Sequence, residues 1–278
     1  MRKDRNGISR FGIKSRKSLG QHFLINETVL RKIVDLAQLA AEDYVLEIGP
    51  GTGNLTKYLV RKARKVFAIE LDKELAAVLK SLIPNENLEI IQADVLKYNI
   101  IKIKPKEAKL KVISNLPYNI STQVIFKMLE SGGIFSELYL MLQKEVAERI
   151  VAEPGIKDYG ILAVVAGLFS QPEMLLTLGP EVFKPRPKVE SALVKFKILD
   201  EPRFPVADYN LFKKMVRACF AMRRKMIRNS LRKSRLGLAL GRLDELLAQA
   251  GIAPTARPET ISLEKLVKLA NLYCEERK

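Results

Sequence analysis

The tetrapeptide Asn115-Leu116-Pro117-Tyr118 follows directly on the apolar run Leu110–Ile113. A side-chain amide oxygen and a backbone carbonyl can accept hydrogen bonds from an exocyclic amine. Proline fixes the turn, and an aromatic ring can lie against a planar base. At the mouth of a parallel strand this set suits methylation of an amino group on a nucleobase. The lone pair of such an amine is delocalised into the ring, which makes it a poor nucleophile. Hydrogen bonds to the Asn115 oxygen and the Leu116 carbonyl would favour a pyramidal nitrogen with its lone pair aimed at an incoming methyl, while Tyr118 stacks on the base. The base must be unpaired or flipped out to reach such a pocket. A plain strand-to-loop turn with a core tyrosine has the same composition, so the reading requires a methyl-donor pocket upstream.

Glu47-Ile48-Gly49-Pro50-Gly51-Thr52-Gly53 is the candidate for that pocket. Glycine lets backbone approach a ligand closely, and a helix starting around Asn54 would offer unpaired N–H groups. The spacing departs from the dinucleotide fingerprint, in which the third glycine falls three positions after the second rather than two. Glu70 ends the next strand and could accept from both ribose hydroxyls, as NAD and S-adenosylmethionine each require. Asp94 ends the third strand and is placed to accept from an adenine amino group, with the Val95 N–H beside it. Each acid alone reads equally as a strand-end or turn residue. Together they mark the carboxyl ends of consecutive strands, where open α/β sheets bind ligands. A nicotinamide enzyme has no use for Asn115–Tyr118, whereas a sulfonium methyl donor does.

The elements that must position these residues follow from periodicity. Strands are predicted at 44–48, 66–70, 88–92, 110–114, 137–142, 161–169 and 191–197, and helical patterns follow the first, second, fourth and fifth. An early helix capped by Asn26 or Thr28 is predicted to run through Ala41, with Val29, Ile33, Leu36 and Ala40 on one face. Asp200–Pro205 reads as a linker broken by two prolines. Beyond it, Phe212, Met215, Val216, Cys219, Phe220 and Ile227 recur at helical spacing, Leu243, Leu246 and Leu247 begin another face, and 262–273 forms a third helix. The expected fold is α/β: a mainly parallel, Rossmann-like sheet with a small C-terminal helical domain. The predicted boundaries are a basic arm at 1–17, a catalytic domain at 18–199 and a helical domain at 200–278.

Composition narrows the class. A chain of 278 residues, 47% hydrophobic, can bury a sizeable core. No apolar stretch is long enough to span a bilayer, and the charged N-terminus lacks the apolar segment of a secretory signal. Two cysteines (Cys219, Cys274) and one histidine (His22) leave no basis for a disulfide framework, a Cys/His zinc site or a Ser-His-Asp triad. No metal is expected, and the location expected is cytoplasmic. The net charge of +17 is concentrated at the ends: residues 1–20 hold seven Lys/Arg against one acid, and residues 200–278 seventeen against nine. Two basic ends around a near-neutral middle suit a polyanion held from two sides, RNA or DNA. Arg217, Arg223, Arg224, Lys225, Arg228, Arg232, Lys233 and Arg235 share one helical stretch, and several must face phosphates or solvent.

Five segments carry a family resemblance: Lys17–Leu24 (Lys-Ser-Leu-Gly-Gln-His-Phe-Leu), Glu47–Gly53, Asn115–Thr122, Leu142–Ile150 and Val182–Ser191 (Val-Phe-Lys-Pro-Arg-Pro-Lys-Val-Glu-Ser). With these the chain resembles the KsgA/RsmA rRNA adenine dimethyltransferases from about residue 10 to its C-terminus. The resemblance implies S-adenosylmethionine as donor and N6,N6-dimethylation of two adjacent adenosines, in a hairpin loop near the 3′ end of small-subunit (16S) rRNA, during ribosome biogenesis. It implies a monomer with small-subunit rRNA or an assembly intermediate as partner. It further implies cofactor contacts from His22 and Leu24 alongside Gly49, Gly51, Glu70, Asp94, Val95 and Asn115. Family members often carry asparagine where His22 stands. Phe183 is similar to the family's second aromatic beside the target base, and Arg223 and Arg224 would meet rRNA. The alternatives are an Erm-type large-subunit rRNA methyltransferase, a non-catalytic assembly factor that retains the pocket, and a DNA adenine methyltransferase.

Overall fold

A computed structural model describes residues 21–222, 224–234, 236–237 and 240–277. The predicted arm at 1–17, the first residues of the Lys17–Leu24 segment, Arg223 and Arg235 lie outside the described residues. The chain forms two compact units. The first runs to Ala147 and resumes at Pro172–Asp200; the second comprises Glu148–Gln171 and the chain from Glu201 onward.

The first unit opens with a two-residue strand, β1 (Phe23–Leu24), and helix α1 (Glu27–Leu36). Asn26 caps α1 by accepting the Val29 N–H at 3.1 Å. The predicted extension to Ala41 does not form: the helix ends at Leu36, and Gln38 takes a left-handed φ of 45°. Its buried residues are Leu30, Ile33 and Val34, so the inward face is turned slightly from the predicted one. Strands β2 (Tyr44–Ile48), β3 (Lys65–Glu70), β4 (Leu88–Gln92), β5 (Leu110–Asn115) and β6 (Phe135–Gln143) follow. Between them stand helices α2 (Thr56–Leu59), α3 (Lys73–Leu82) and α4 (Ser121–Leu129), and α5 (Lys144–Val151) follows β6.

The sheet also takes β7 (Ser170–Leu178) and β9 (Ser191–Ile198), in the order β4-β3-β2-β5-β6-β9-β7. From β4 to β6 neighbouring strands are parallel, and β9 runs antiparallel to β6. A two-residue strand, β8 (Phe183–Lys184), pairs with β1 outside the main sheet. The order reverses at β2: chain connections run outward through β3 and β4 on one side and through β5 and β6 on the other. That reversal opens a crevice at the carboxyl ends of β2 and β5. The strands are apolar because both faces are covered. Val45, Leu46, Val66, Ala68, Val112, Ile113, Leu138 and Leu140 are all buried.

One predicted strand is a helix. Ile161–Phe169 forms α6, buried at Leu162, Ala163, Val164, Val165, Ala166 and Leu168. An unbroken apolar run has no period that distinguishes a buried helix from a buried strand, and its β-branched residues tilted the reading. The strand is instead the next segment, β7, in which polar and apolar residues mix. In the second unit α6 packs in one core with α7 (Tyr209–Phe220), α8 (Ile227–Arg232), α9 (Leu240–Gln249) and α10 (Leu263–Glu275). The predicted single basic helical stretch is divided, because the chain breaks between Phe220 and Ile227. Ser262 caps α10. Among the described residues no helix is long and apolar enough to cross a membrane.

Candidate active site

The crevice at the carboxyl ends of β2–β5 is a cleft open to solvent. His22, Gly49, Gly51, Glu70, Asp94, Val95, Asn115, Leu116 and Pro117 all line it, so the structure gathers nine of the predicted site residues around one space. Leu24, Tyr118 and Phe183 are not in its wall. Leu24 and Phe183 are 3% and 1% exposed, pair across β1 and β8, and belong to the apolar core of the first unit. Arg224 is exposed in the second unit.

On the side of the glycine turn the geometry is carried by backbone. Gly49, Gly51 and Gly53 have φ of 65°, 57° and 77°, which other residues adopt only with strain. A Cβ on Gly51 would stand 2.6 Å from Cε1 of Phe23, so the glycine also allows that ring to close over the turn. The predicted helix at Asn54 is reduced to the single turn of α2, and the glycine turn rather than a long helix shapes the pocket. Glu70 is 4% exposed; its Oε2 accepts the Gly51 N–H at 3.1 Å and its Oε1 the Asp72 N–H at 2.9 Å. A carboxylate offers about four acceptor sites, so these amides leave it able to accept from a ligand hydroxyl as well. Burial raises the Glu70 carboxyl above its ordinary value, and the Asp72 and Gly51 amides oppose that rise.

Asp94 is tied into a local turn, its Oδ1 accepting the Leu96 N–H at 2.9 Å. The same loop is held from α4 by a residue given no role in the sequence reading. Lys127 donates to the carbonyls of Leu96 (3.0 Å) and Tyr98 (2.7 Å). Burial lowers its pKa and the nearby Asp94 charge counters the fall. No spacing rule marks Lys127, since its partners lie 29 and 31 residues away.

On the side of Asn115 the loop is held by side chains. The β2–β5 register runs from Tyr44↔Leu110 to Leu46↔Val112; beyond it Ser114 Oγ takes over, donating to the Ile48 carbonyl and accepting the Ile48 N–H. Asn115 Nδ2 donates to the His22 carbonyl at 2.7 Å, which settles the orientation of the amide. Its Oδ1 is buried with no hydrogen-bond partner among the described residues. An unpaired buried acceptor costs about 1–3 kcal/mol, a cost a bound donor would remove. Pro117 closes a turn by accepting the Ile120 N–H at 3.2 Å.

Tyr118 meets Ser191 by its hydroxyl (2.6 Å), and its ring lies 5.3 Å from the His22 ring at 28°. Burial pushes the Tyr118 phenol up, with the Ser191 bond opposing. The His22 Nδ1–H donates to the Pro185 carbonyl at 2.8 Å.

A smaller cavity shares Phe23, Gly49 and Asn115 with the cleft and adds Leu24, Glu47, Thr52 and Asn54. Glu47 Oε2 and Thr52 Oγ1 there are buried without partners among the described residues. Burial pushes the Glu47 carboxyl up to about 8, opposed by the Thr56 hydroxyl and reinforced by the charge of Glu70. Unsatisfied buried acceptors beside a diol-ready carboxylate fit a ligand that carries both a nucleoside and further hydrogen-bond donors.

Comparison with known proteins points the same way. A family model described as "Ribosomal RNA adenine dimethylase" matches residues 12–274. A Geobacter metallireducens protein, "Ribosomal RNA small subunit methyltransferase A", is 42% identical over 262 residues, which is 93% of this chain and 95% of the relative. One of the same name from Caldanaerobacter subterraneus subsp. tengcongensis is 42% identical over 263 residues, 93% and 97% of the two chains. Among solved structures, a dimethyladenosine transferase from Plasmodium falciparum superposes with a TM-score of 0.72 at 26% identity, covering 89% of this chain and 96% of its own. The 23S rRNA methyltransferase ErmE gives 0.66 at 27%, covering 89% and 98%.

Proposed function

This chain belongs to the ribosomal RNA adenine dimethylase family, and we propose that it transfers methyl groups from S-adenosylmethionine to N6 of two adjacent adenosines in small-subunit rRNA, in a hairpin loop near the 3′ end. The observation that carries the reading is the amide of Asn115. Its nitrogen is held by the His22 carbonyl, and its oxygen is buried without a partner among the described residues at the edge of the cleft.

In this mechanism Glu70 would hold the ribose hydroxyls of the cofactor, Asp94 and the Val95 N–H would hold its adenine, and the glycine turn at Gly49 and Gly51 would accommodate the remainder. His22 and Leu24 complete that site. The bound cofactor supplies an electrophilic methyl on a sulfonium. The protein's own work is positional. Asn115 Oδ1 and the Leu116 carbonyl accept from the exocyclic amine and turn its lone pair towards the methyl, Pro117 holds the turn, and Tyr118 stacks on the base. Phe183 supports that stack from the core. The exposed Arg224, with Arg223 beside it in sequence, contacts rRNA phosphates.

The large-subunit alternative has less support. The relatives at about 40% identity across this chain bear the small-subunit name, whereas ErmE stands at 27%. Mass spectrometry of RNA after incubation with S-adenosylmethionine and either small-subunit particles, large-subunit particles or free rRNA tests the assignment. N6,N6-dimethyladenosine should accumulate at two neighbouring small-subunit positions. Modification confined to large-subunit RNA would overturn the substrate, and no modification of any RNA would overturn the activity.

A further inference from the structure

The loop between β8 and β9 presents Lys184, Arg186 and Lys188, all exposed and alternating with Pro185 and Pro187. Among the described residues none of the three cations has an ion pair or side-chain hydrogen bond. The acids that flank the segment are Glu181 and Glu190, and Glu190 is engaged by Lys144 at 2.7 Å. Proline restricts φ and donates no N–H, so little conformational freedom is lost when this segment holds its cations outward.

The loop is anchored beside the acceptor site at both ends. At its start Lys184 pairs with Phe23, and the Pro185 carbonyl accepts from His22, whose ring stacks on Tyr118. At its end the Glu190 carbonyl accepts the Lys144 N–H at 3.0 Å, and Ser191 meets the Tyr118 hydroxyl. Lys184 and Arg186 are therefore the two chain neighbours of the residue that supports the stacking pair. A base presented to Tyr118 brings its own backbone with it, and the phosphates on either side of the base must pass this rim.

We propose that Lys184, Arg186 and Lys188 form a grip for the phosphates flanking the target adenosine on the single-stranded side of the hairpin. This is a second RNA contact, on the catalytic unit, separate from the basic residues of the helical unit. It rests on the assignment of Asn115–Tyr118 as the acceptor site. The grip carries no base specificity: it reads backbone charge and sets how far the strand can advance over Tyr118.

The test is the affinity of a fluorescently labelled hairpin RNA across a salt series, for the wild-type protein and for Lys184→Gln/Arg186→Gln/Lys188→Gln. Three lost contacts to a single strand should flatten the slope of log K against log salt by about 2 and raise the KM for RNA by roughly tenfold or more, with kcat falling much less. Calorimetric S-adenosylmethionine affinity should be unchanged, which controls for folding. The single variant Arg186→Gln should flatten the slope by about 0.7 and serves if the triple variant does not fold. An unchanged slope and KM would overturn the grip while leaving the acceptor site intact. A flattened slope with an acidic peptide but not with RNA would make the loop a protein-docking surface and overturn it too. A wild-type protein that neither binds nor methylates the RNA would overturn both the grip and the reading beneath it.

Discussion

The two sides of the cleft are built by different means. The glycine side is local: glycines with positive φ form the turn, and Glu70 receives the Gly51 amide from only 19 residues away. The Asn115 side is assembled from remote segments. Asn115 is held by His22 across 93 residues, Tyr118 by Ser191 across 73, and His22 by Pro185 across 163. A pocket made of backbone and short-range turns is pre-shaped wherever its strands form. A loop whose side chains hang on long-range bonds is correct only when the whole unit is folded. The two sides therefore place different demands on the same sheet.

Three substitutions press on that difference. The largest effect is expected at Asn115. Removing its amide in Asn115→Ala takes away both the unpaired acceptor and the tether to His22, and should lower the single-turnover rate by about 10²–10³-fold while RNA binding persists. Near wild-type turnover would remove the acceptor side from the mechanism. A smaller loss is expected on the donor side. Glu70→Ala should weaken S-adenosylmethionine binding by roughly 10–100-fold, the worth of one or two hydrogen bonds to a charged group. Calorimetry returning an unchanged affinity would reject the ribose contact.

The smallest effect concerns Glu47 and is read in stability. Its carboxyl sits near 8 in the folded protein against an ordinary 4.5, so the folded state holds a proton that the unfolded chain has already released. The stabilisation is fully present below about pH 4.5 and is lost as pH rises through about 8. Glu47→Gln keeps the shape and cannot ionise, so its melting temperature should decline less than that of the wild type between pH 5 and 8. Parallel declines would show that the buried acid does not titrate in this window.

How far the sequence could be read follows the same line as the cleft. The strands that lead to Glu70, Asp94 and Asn115 were legible because short, largely apolar segments ended in polar turns, although Asp94 lies in the turn after β4 rather than on the strand. Residue type narrowed the cap of α1 to Asn26 or Thr28, and the structure selects Asn26. Ile161–Phe169 was misread because its apolar residues have no period, and only the core formed with α7 and α10 makes it a helix. Lys127, Ser114 and Ser191 were invisible as site-shaping residues, since each acts on a partner that pattern and spacing do not connect to it. The short β1–β8 pair was missed for that reason too: two residues each carry no periodicity, and each strand exists only because the other is there.

By itself, the sequence determined the chemistry on offer: an amide and an aromatic after one strand, glycines after another, acids at two strand ends, and cations concentrated towards the termini. These are properties of residue type and short spacing, and they hold whatever the rest of the chain does. Tertiary structure alone decided which of these groups share a space. It put Asn115 Oδ1 in the cleft wall with no partner among the described residues, set Tyr118 against His22, and sent Leu24 and Phe183 into the core. The physical reason is that burial and hydrogen-bond satisfaction are settled among residues far apart in the chain, so no local pattern contains them.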